Sequence, residues 1–325
     1  YFFIMKRLLL ILTMKPNILV GGQAVIEGVM MRVPGAYSTA VRDPDGNIRI
    51  KRNKFTSITE KSSFWSKPIF RGMASLYEAM KMGMGTLQWS ADITYPEDNQ
   101  DSRWSKILDF LTTIFSISLA IFLFMVLPMW LTTKLLSIEE EALWFNLSSG
   151  TFRIIFFVLY LFLISKISDI SRLFQYHGAE HKVVYNFESG KTLSIKDAQS
   201  FPTQHPRCGT SFMFIVLISA IFVFALVDTI AMYFFGTISL SMRLLSHLPL
   251  IPLVSGVGYE LIKLTSKSDL FIFRVLKMPG IFLQNITTKQ PDDKMVEVSI
   301  TALKDAFGDQ YDSFIGKKYK AEAIG

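Results

Sequence analysis

Residues 107–131 read ILDFLTTIFSISLAIFLFMVLPMWL, an apolar run in which charged Asp109 lies near one end and Pro128 near the other. A helix needs roughly 20 predominantly apolar residues to cross the hydrocarbon core of a bilayer, which is about 30 Å thick. This stretch therefore predicts a transmembrane helix.

Three further stretches have a comparable length and composition. They are residues 148–167, 212–235 and 244–264. Segment 212–235 is broken only by Asp228, whereas 148–167 carries Arg153 and Lys166, which we expect to snorkel towards the interfaces. The sequence thus predicts an all-α integral membrane protein with about four transmembrane helices.

Composition and charge agree with this fold class. Half of the 325 residues are hydrophobic, 28 are Phe, and the formal net charge is +7. The basic residues flank the apolar runs and form no long cluster, which argues against a nucleic-acid partner and for the lipid bilayer. Cys208 is the only cysteine, so an intrachain disulfide is excluded.

Orientation follows from the distribution of Lys and Arg, which are enriched on the cytoplasmic side of membrane proteins. Fifteen precede residue 107, six lie in the loop 166–210 and ten lie from residue 263 onwards. The connection 132–147 carries only Lys134, opposed by three glutamates. We therefore expect a multi-pass protein of the cell membrane with both termini in the cytoplasm.

The remaining polar segments divide the chain. We expect residues 1–16 to be extra or disordered, with a functional start near Met14. Residues 17–106 should form a cytoplasmic β element and an amphipathic helix, 107–264 the four spans with a His-rich cytoplasmic loop at 166–211, and 265–325 a cytoplasmic helical tail.

Local patterns support the cytoplasmic elements. Residues 37–42 and 47–51 flank an Asp-Pro-Asp-Gly sequence, which is typical of a turn between two strands. Residues 70–91 have the pattern of an amphipathic helix. A further helix is predicted after Pro291, with these side chains on one face: Val296, Ile300, Leu303 and Phe307.

The most concentrated chemistry is the sequence His177-Gly178-Ala179-Glu180-His181, an H-x-x-E-H pattern. On a helix the two imidazoles lie about 40° apart, with Glu180 beside them. This arrangement suits two metal-ligating nitrogens and a carboxylate that acts as general base on a water activated by the ion. Gly178 weakens the helix prediction, because glycine costs about 1 kcal/mol relative to alanine.

Three other residues are candidates to complete a metal site. His205 and Cys208 offer an imidazole and a thiol, and Glu260 near the end of the fourth span should reach the same depth. A divalent metal, most simply zinc, would suit such donors. The alternatives are hydrogen-bonded interfacial histidines, a packed Cys208 with Thr210 or Ser211 capping the third span, and a Glu260 paired with Lys263.

Other charged residues have less specific readings. Arg207 suits an interfacial anchor, and His247 suits a position near the outer interface. Asp228 lies within a span, where a carboxylate is a functional candidate, although Arg243 or hydroxyl groups could satisfy it.

Several motifs carry a resemblance to a known family. They are Gly21-Gly22-Gln23-Ala24-Val25-Ile26-Glu27-Gly28-Val29-Met30-Met31-Arg32, the His177–His181 element, Pro206-Arg207-Cys208-Gly209-Thr210-Ser211 and Thr287-Thr288 with Pro291-Asp292-Asp293. From about residue 17 to 308 the chain resembles the bacterial YqhQ-like family of uncharacterised membrane proteins. The resemblance implies a membrane location and a metal-dependent enzyme. Gln23, Glu27 and Arg32 either join the site, or the element is a structural turn that docks the β element on the membrane helices.

Two functions of different kinds follow. The first is a membrane-embedded, zinc-dependent hydrolase with its site at the cytoplasmic face, where Glu180 is the base and His177, His181, His205, Cys208 and Glu260 supply metal ligands. The second is a non-catalytic membrane scaffold or assembly factor, with a structural metal or none and with membrane or cytoplasmic protein partners. A small transporter organised around Asp228 is a third, weaker reading.

Overall fold

A computed structural model describes residues 20–96, 103–206, 208–267 and 271–319. The predicted start near Met14, the whole of segment 1–16 and its boundary at residue 17 lie outside the described residues, as does Arg207. The described chain is mostly helical and carries one small antiparallel sheet near its N-terminal end.

The sheet is a four-stranded meander. Its strands are β1 (Gly21–Val25), β2 (Gly28–Val33), β3 (Ala36–Arg42) and β4 (Ile48–Lys54), paired in that order. The β3–β4 hairpin confirms the strands predicted around residues 37–51. Its turn closes because the Gly46 amide donates to the Asp43 carbonyl at 2.9 Å, and Gly46 adopts the positive φ of 88° that glycine tolerates.

The helices follow in sequence. They are α1 (Ile58–Lys61), α2 (Phe70–Thr94), α3 (Arg103–Ile121), α4 (Leu127–Leu136), α5 (Ala142–Ile164), α6 (Ser168–Ser189), α7 (Ile195–Gln199), α8 (Gly209–Phe235), α9 (Leu240–His247), α10 (Ile251–Lys267), α11 (Phe271–Thr287), α12 (Asp293–Phe307) and α13 (Tyr311–Phe314). Short 3₁₀ turns, Leu248–Leu250 and Gly308–Gln310, join α9 to α10 and α12 to α13.

Four helical stretches are long and apolar enough to cross a membrane. They are Ile107–Leu136, Ala142–Ile164, Gly209–Phe235 and Leu240–Leu264. The first joins α3 to α4 through a π-helical turn, Phe122–Val126, just before Pro128, whose missing N–H and bulky ring disturb regular α-helical bonding. These four helices suggest a membrane protein and agree with the predicted spans, although each extends beyond the predicted limits at one end.

Glycines let the long helices approach one another closely. A Cβ atom on Gly150 of α5 would lie 2.3 Å from the Ile221 side chain of α8. A Cβ on Gly72 of α2 would lie 2.8 Å from the backbone of Gly256 in α10. Small residues at crossings are typical of helices that associate within membranes, where close van der Waals packing replaces the hydrophobic effect.

The sheet, α6 and α12 share a second core outside the long helices. Its central side chains include Val29 and Met31 from β2, Val183 from α6, and Val296 and Leu303 from α12, all fully buried. The predicted tail helix is therefore confirmed, with Asp292 as its N-cap, but it packs on the N-terminal sheet. The segment predicted as a His-rich loop, 166–211, is largely the helices α6 and α7.

Candidate metal centre

The H-x-x-E-H element lies in the middle of α6. His177 and His181 are one helical turn apart, and their ring centroids are 4.5 Å from each other. The helix continues to Ser189 and stops at Gly190, which adopts a left-handed φ of 72°. The predicted helical geometry of the histidine pair is therefore confirmed.

Backbone carbonyls orient both imidazoles. His177 Nδ1 lies 2.8 Å from the carbonyl oxygen of Thr287, and His181 Nδ1 contacts the carbonyl oxygen of Thr203. A carbonyl can only accept a hydrogen bond, so each Nδ1 carries the proton and each neutral ring keeps a lone pair on Nε2. Histidines that ligate metals are usually held in this way.

Cys208 faces these two lone pairs. Its Sγ lies 3.2 Å from His177 Nε2, and the three donor atoms of His177, His181 and Cys208 all lie within 4.8 Å of one another. Ligand nitrogen and sulfur atoms around a tetrahedral zinc ion are separated by about 3.5 Å, as follows from the usual bond lengths. These three side chains could therefore hold a metal ion.

Cys208 is also the N-cap of α8. The Thr210 amide donates to its sulfur at 3.4 Å, so the cap predicted at Thr210 or Ser211 lies at Cys208 itself. The sulfur therefore lies at the positive end of the helix dipole of α8.

Glu180 lies beside the three donors. Its Oε2 is 3.4 Å from His181 Nε2, and the residue is 5% exposed. Among the described residues no fourth His, Cys, Asp or Glu joins the group of three. Three protein donors with a neighbouring carboxylate are the pattern of an open, catalytic metal site, whereas structural sites use four.

Burial affects the protonation of the neighbouring imidazoles. Desolvation lowers the pKa of His181, and the adjacent Cys208 opposes that shift. Desolvation also lowers the pKa of His205 to about 4. Both rings are therefore neutral near pH 7, the form in which an imidazole nitrogen can bind a metal.

His205, a predicted ligand, lies near this cluster without joining it. Its ring centroid is 5.6 Å from that of His181, and its Nε2 is 3.6 Å from a carboxylate oxygen of Glu188. The Gln284 side chain fixes the His205 backbone with hydrogen bonds of 2.7 and 2.9 Å. The His205 backbone therefore ties the loop before α8 to α11.

Glu260, the other predicted ligand, makes a different interaction. Its carboxylate accepts from Arg71 Nε at 2.7 Å and Nη2 at 2.5 Å, and from the Ile69 amide at 3.2 Å. Ile69 has a φ of 69°, which is rare for a β-branched residue, so Glu260 stabilises an uncommon backbone conformation at the start of α2. The structure pairs Glu260 with α2 and not with the three donors.

The N-terminal signature packs against the site-bearing helix. A Cβ on Gly22 would lie 2.8 Å from Glu180 Cγ, so the sheet backbone touches the candidate base directly. Glu27 binds Arg172 through both oxygens, one of them 2.6 Å from Nη2, and accepts from the Tyr176 hydroxyl at 3.2 Å. These contacts dock the signature on α6, which is not one of the four membrane-length helices on which docking was predicted. Arg32 stacks instead on Phe55.

Several contributors to the site escaped the sequence reasoning. Lys182 donates to the carbonyls of Gln199 and Phe201 at 2.9 and 2.5 Å and so anchors the loop that carries Thr203. The Thr287 carbonyl belongs to the last turn of α11, where helix carbonyls have no intrahelical partner. A predicted helix end indicates that a free carbonyl acceptor is present there. The sequence does not indicate that His177 is the group that bonds to it.

Replacing Gly178 with alanine is expected to destabilise the protein. A Cβ there would lie 2.1 Å from the Lys289 carbonyl oxygen, a backbone atom that cannot simply move aside. Overpacking of this kind costs about 1–3 kcal/mol, more than alanine's helix propensity restores. Thermal unfolding in detergent should show a lower melting temperature for Gly178→Ala.

Gly85→Ala is the matched control, since Gly85 is also helical and a Cβ there meets no atom within 4 Å. That variant should be as stable as the parent or more so. A Gly178→Ala variant at least as stable as Gly85→Ala would contradict the close approach of residue 289 to α6.

The fold and the cluster define a class of protein: a helical chain with four membrane-length helices and a His-His-Cys group beside a small β sheet. The chain belongs to the DUF1385 family, described as a protein of unknown function, whose model matches residues 67–309. It is 31% identical over 305 residues to the uncharacterized protein YqhQ of Bacillus subtilis (strain 168), covering 88% of this chain and 91% of that relative. No solved structure matches the chain.

Proposed function

We propose that the protein is a membrane-embedded, metal-dependent hydrolase whose site lies at the cytoplasmic face. One observation carries the proposal: the Nε2 atoms of His177 and His181 and the sulfur of Cys208 converge, with Glu180 alongside and, within the described part of the chain, no fourth donor in the group. Zinc is the ion that best suits two imidazoles and a thiolate.

Each residue has a distinct role in this proposal. A zinc-type ion would supply Lewis acidity and lower the pKa of water to about 7. His177, His181 and Cys208 would hold the ion, and Glu180 would accept the proton of the attacking water. The carbonyls of Thr203 and Thr287 keep the imidazoles in the ligating tautomer.

The cytoplasmic placement rests on charge and helix lengths. Four membrane-length helices and the basic segments before, between and after them support an arrangement with both termini inside. Cys208 starts the third long helix, so the cluster would lie at the inner interface, where a peptide bond or a lipid headgroup could reach it.

The test is a hydrolysis assay on the purified full chain in detergent, with peptide amides, carboxylic esters and phosphodiesters of lipid type as substrates. We expect turnover of at least one class, its loss after chelation and its return on adding Zn²⁺. A folded, metal-loaded protein that hydrolyses none of them would contradict the proposal and favour the scaffold function, in which the same ion is structural.

A further inference from the structure

A second polar cluster lies inside the bundle of long helices. The Asp228 carboxylate of α8 accepts from Asn146 Nδ2 at 2.6 Å, from His247 Nε2 at 2.9 Å and from Arg243. Asp228, Arg243 and His247 are each at most 1% exposed. The long helices therefore bury an ion pair and its hydrogen-bonding partners.

A second arginine, Arg153 of α5, is buried beside this network. It is 5% exposed, it was predicted to snorkel and does not, and its guanidinium carbon lies 5.3 Å from the centre of the Phe224 ring. The same Phe224 stacks on His247 at 4.0 Å. Arg153 is also close enough to Asp228 and His247 to interact with both electrostatically.

Within the described part of the chain, the Nε and Nη2 atoms of Arg153 make no hydrogen bond. Both atoms are buried and have no acceptor among the described residues. The buried Nδ1 of His247 likewise has no hydrogen-bond donor among them. Burying an unpaired charge is costly, and polar groups at membrane depth usually face a partner, a cavity or a ligand.

The formal charges of the cluster do not balance. Arg153 and Arg243 contribute two positive charges, Asp228 contributes one negative charge, and His247 donates from Nε2 in its neutral form. Because the Asp228 oxygens are already bonded to Asn146, Arg243 and His247, the excess positive charge lies on Arg153. A bound anion would neutralise it.

Two other arginines of this protein bind carboxylate groups through their Nε–Nη2 edge. In Arg71 that edge receives the two carboxylate oxygens of Glu260, and in Arg172 it receives those of Glu27. A parallel pair of N–H groups selects an anion with two oxygens at carboxylate or phosphate spacing. The same edge of Arg153 is therefore suited to an oxyanion.

We propose that Arg153, with His247 and Phe224 alongside, forms a binding site for a phosphate-type oxyanion within the helix bundle. The site is separate from the His-His-Cys cluster, because Asp228 lies twenty residues along α8 from Cys208, about 30 Å at the rise of an α-helix. The anion is either free phosphate or the phosphate of an anionic lipid.

The experiment measures binding to the purified full chain in a non-ionic detergent. Thermal unfolding is followed with added inorganic phosphate at constant ionic strength, and separately with phosphatidylglycerol or phosphatidylcholine. Native mass spectrometry records whether phosphatidylglycerol is retained. We expect one anionic ligand to raise the melting temperature by roughly 5 °C, as saturating binding to a folded state should. A shift with phosphate identifies a free anion, and a shift with phosphatidylglycerol alone identifies a lipid.

Variants decide whether Arg153 is responsible. Arg153→Gln should abolish the shift, whereas Arg49→Gln, which removes an exposed arginine on β4, should keep it. If Arg153→Gln does not fold, Arg153→Lys is the second variant. It keeps the positive charge but lacks the parallel Nε and Nη2 donors, and should bind the anion at least tenfold more weakly. No shift with either ligand, or an equal shift in the Arg153 variants, would overturn the proposal.

Discussion

Glu180→Gln is expected to keep its metal and to lose about two to four orders of magnitude in hydrolytic turnover. The amide has nearly the same shape as the carboxylate, so its contact with Gly22 is preserved. It cannot accept the proton of an attacking water, and general-base catalysis typically contributes 10²–10⁴-fold. The measurement pairs turnover with metal content by mass spectrometry on the same preparation.

Glu188→Gln is the matched control for this substitution. Glu188 is also buried on α6, two turns further along, and its carboxylate faces His205. The control should keep both its metal and its turnover. Loss of metal from Glu180→Gln would instead make Glu180 a ligand or a support of the fold, and unchanged turnover would remove it as the base.

Asp228→Ala is expected to lower the free energy of unfolding by about 3–5 kcal/mol. The substitution leaves the buried Arg243 without its carboxylate and removes the acceptor for His247 Nε2. Removing one partner of a buried ion pair strands the other charge where water cannot compensate it. Denaturant titration in mixed micelles, followed by circular dichroism, measures the change.

Glu297→Ala provides the comparison for this prediction. Glu297 pairs with Arg42 at 2.7 Å, but its side chain is 50% exposed. Surface ion pairs contribute at most about 1 kcal/mol, so the control should be nearly as stable as the parent. Equal stabilities for the two variants would show that the Asp228 pair is not buried.

The sequence predicted the long helices well because length and apolarity alone decide them. Residues 212–235 could hardly form anything else, and the observed helix is Gly209–Phe235. The start of the second helix was placed too late, at residue 148, whereas the observed helix begins at Ala142. Asn146 and Arg153 lie inside this helix and face Asp228 and Phe224 of α8, respectively.

The candidate site was predictable only in part. Helical periodicity correctly placed His177 beside His181, and the structure brings Cys208 close to them. Depth in the bundle does not fix the direction of a side chain, so Glu260 turns towards Arg71. Backbone acceptors such as the Thr203 carbonyl leave no mark in the sequence, because any residue type supplies them.

At Gly178 the local helix propensity gave the wrong indication. Its low helix propensity weakened the prediction of a helix through the histidines. The structure shows the helix intact and the glycine placed where the Lys289 carbonyl crosses it. A packing requirement between segments 111 residues apart outweighs the local preference, and only the tertiary structure reveals it.

The central claim is that three side chains form one metal site, and metal content per chain tests it most directly. Inductively coupled plasma mass spectrometry on the purified full chain should find about one equivalent of metal. His181→Ala and Cys208→Ala should lose it, while His205→Ala and Glu260→Gln should keep it. A folded parent protein without metal that takes up none on exposure to Zn²⁺, or equal metal content in all four variants, would contradict the claim.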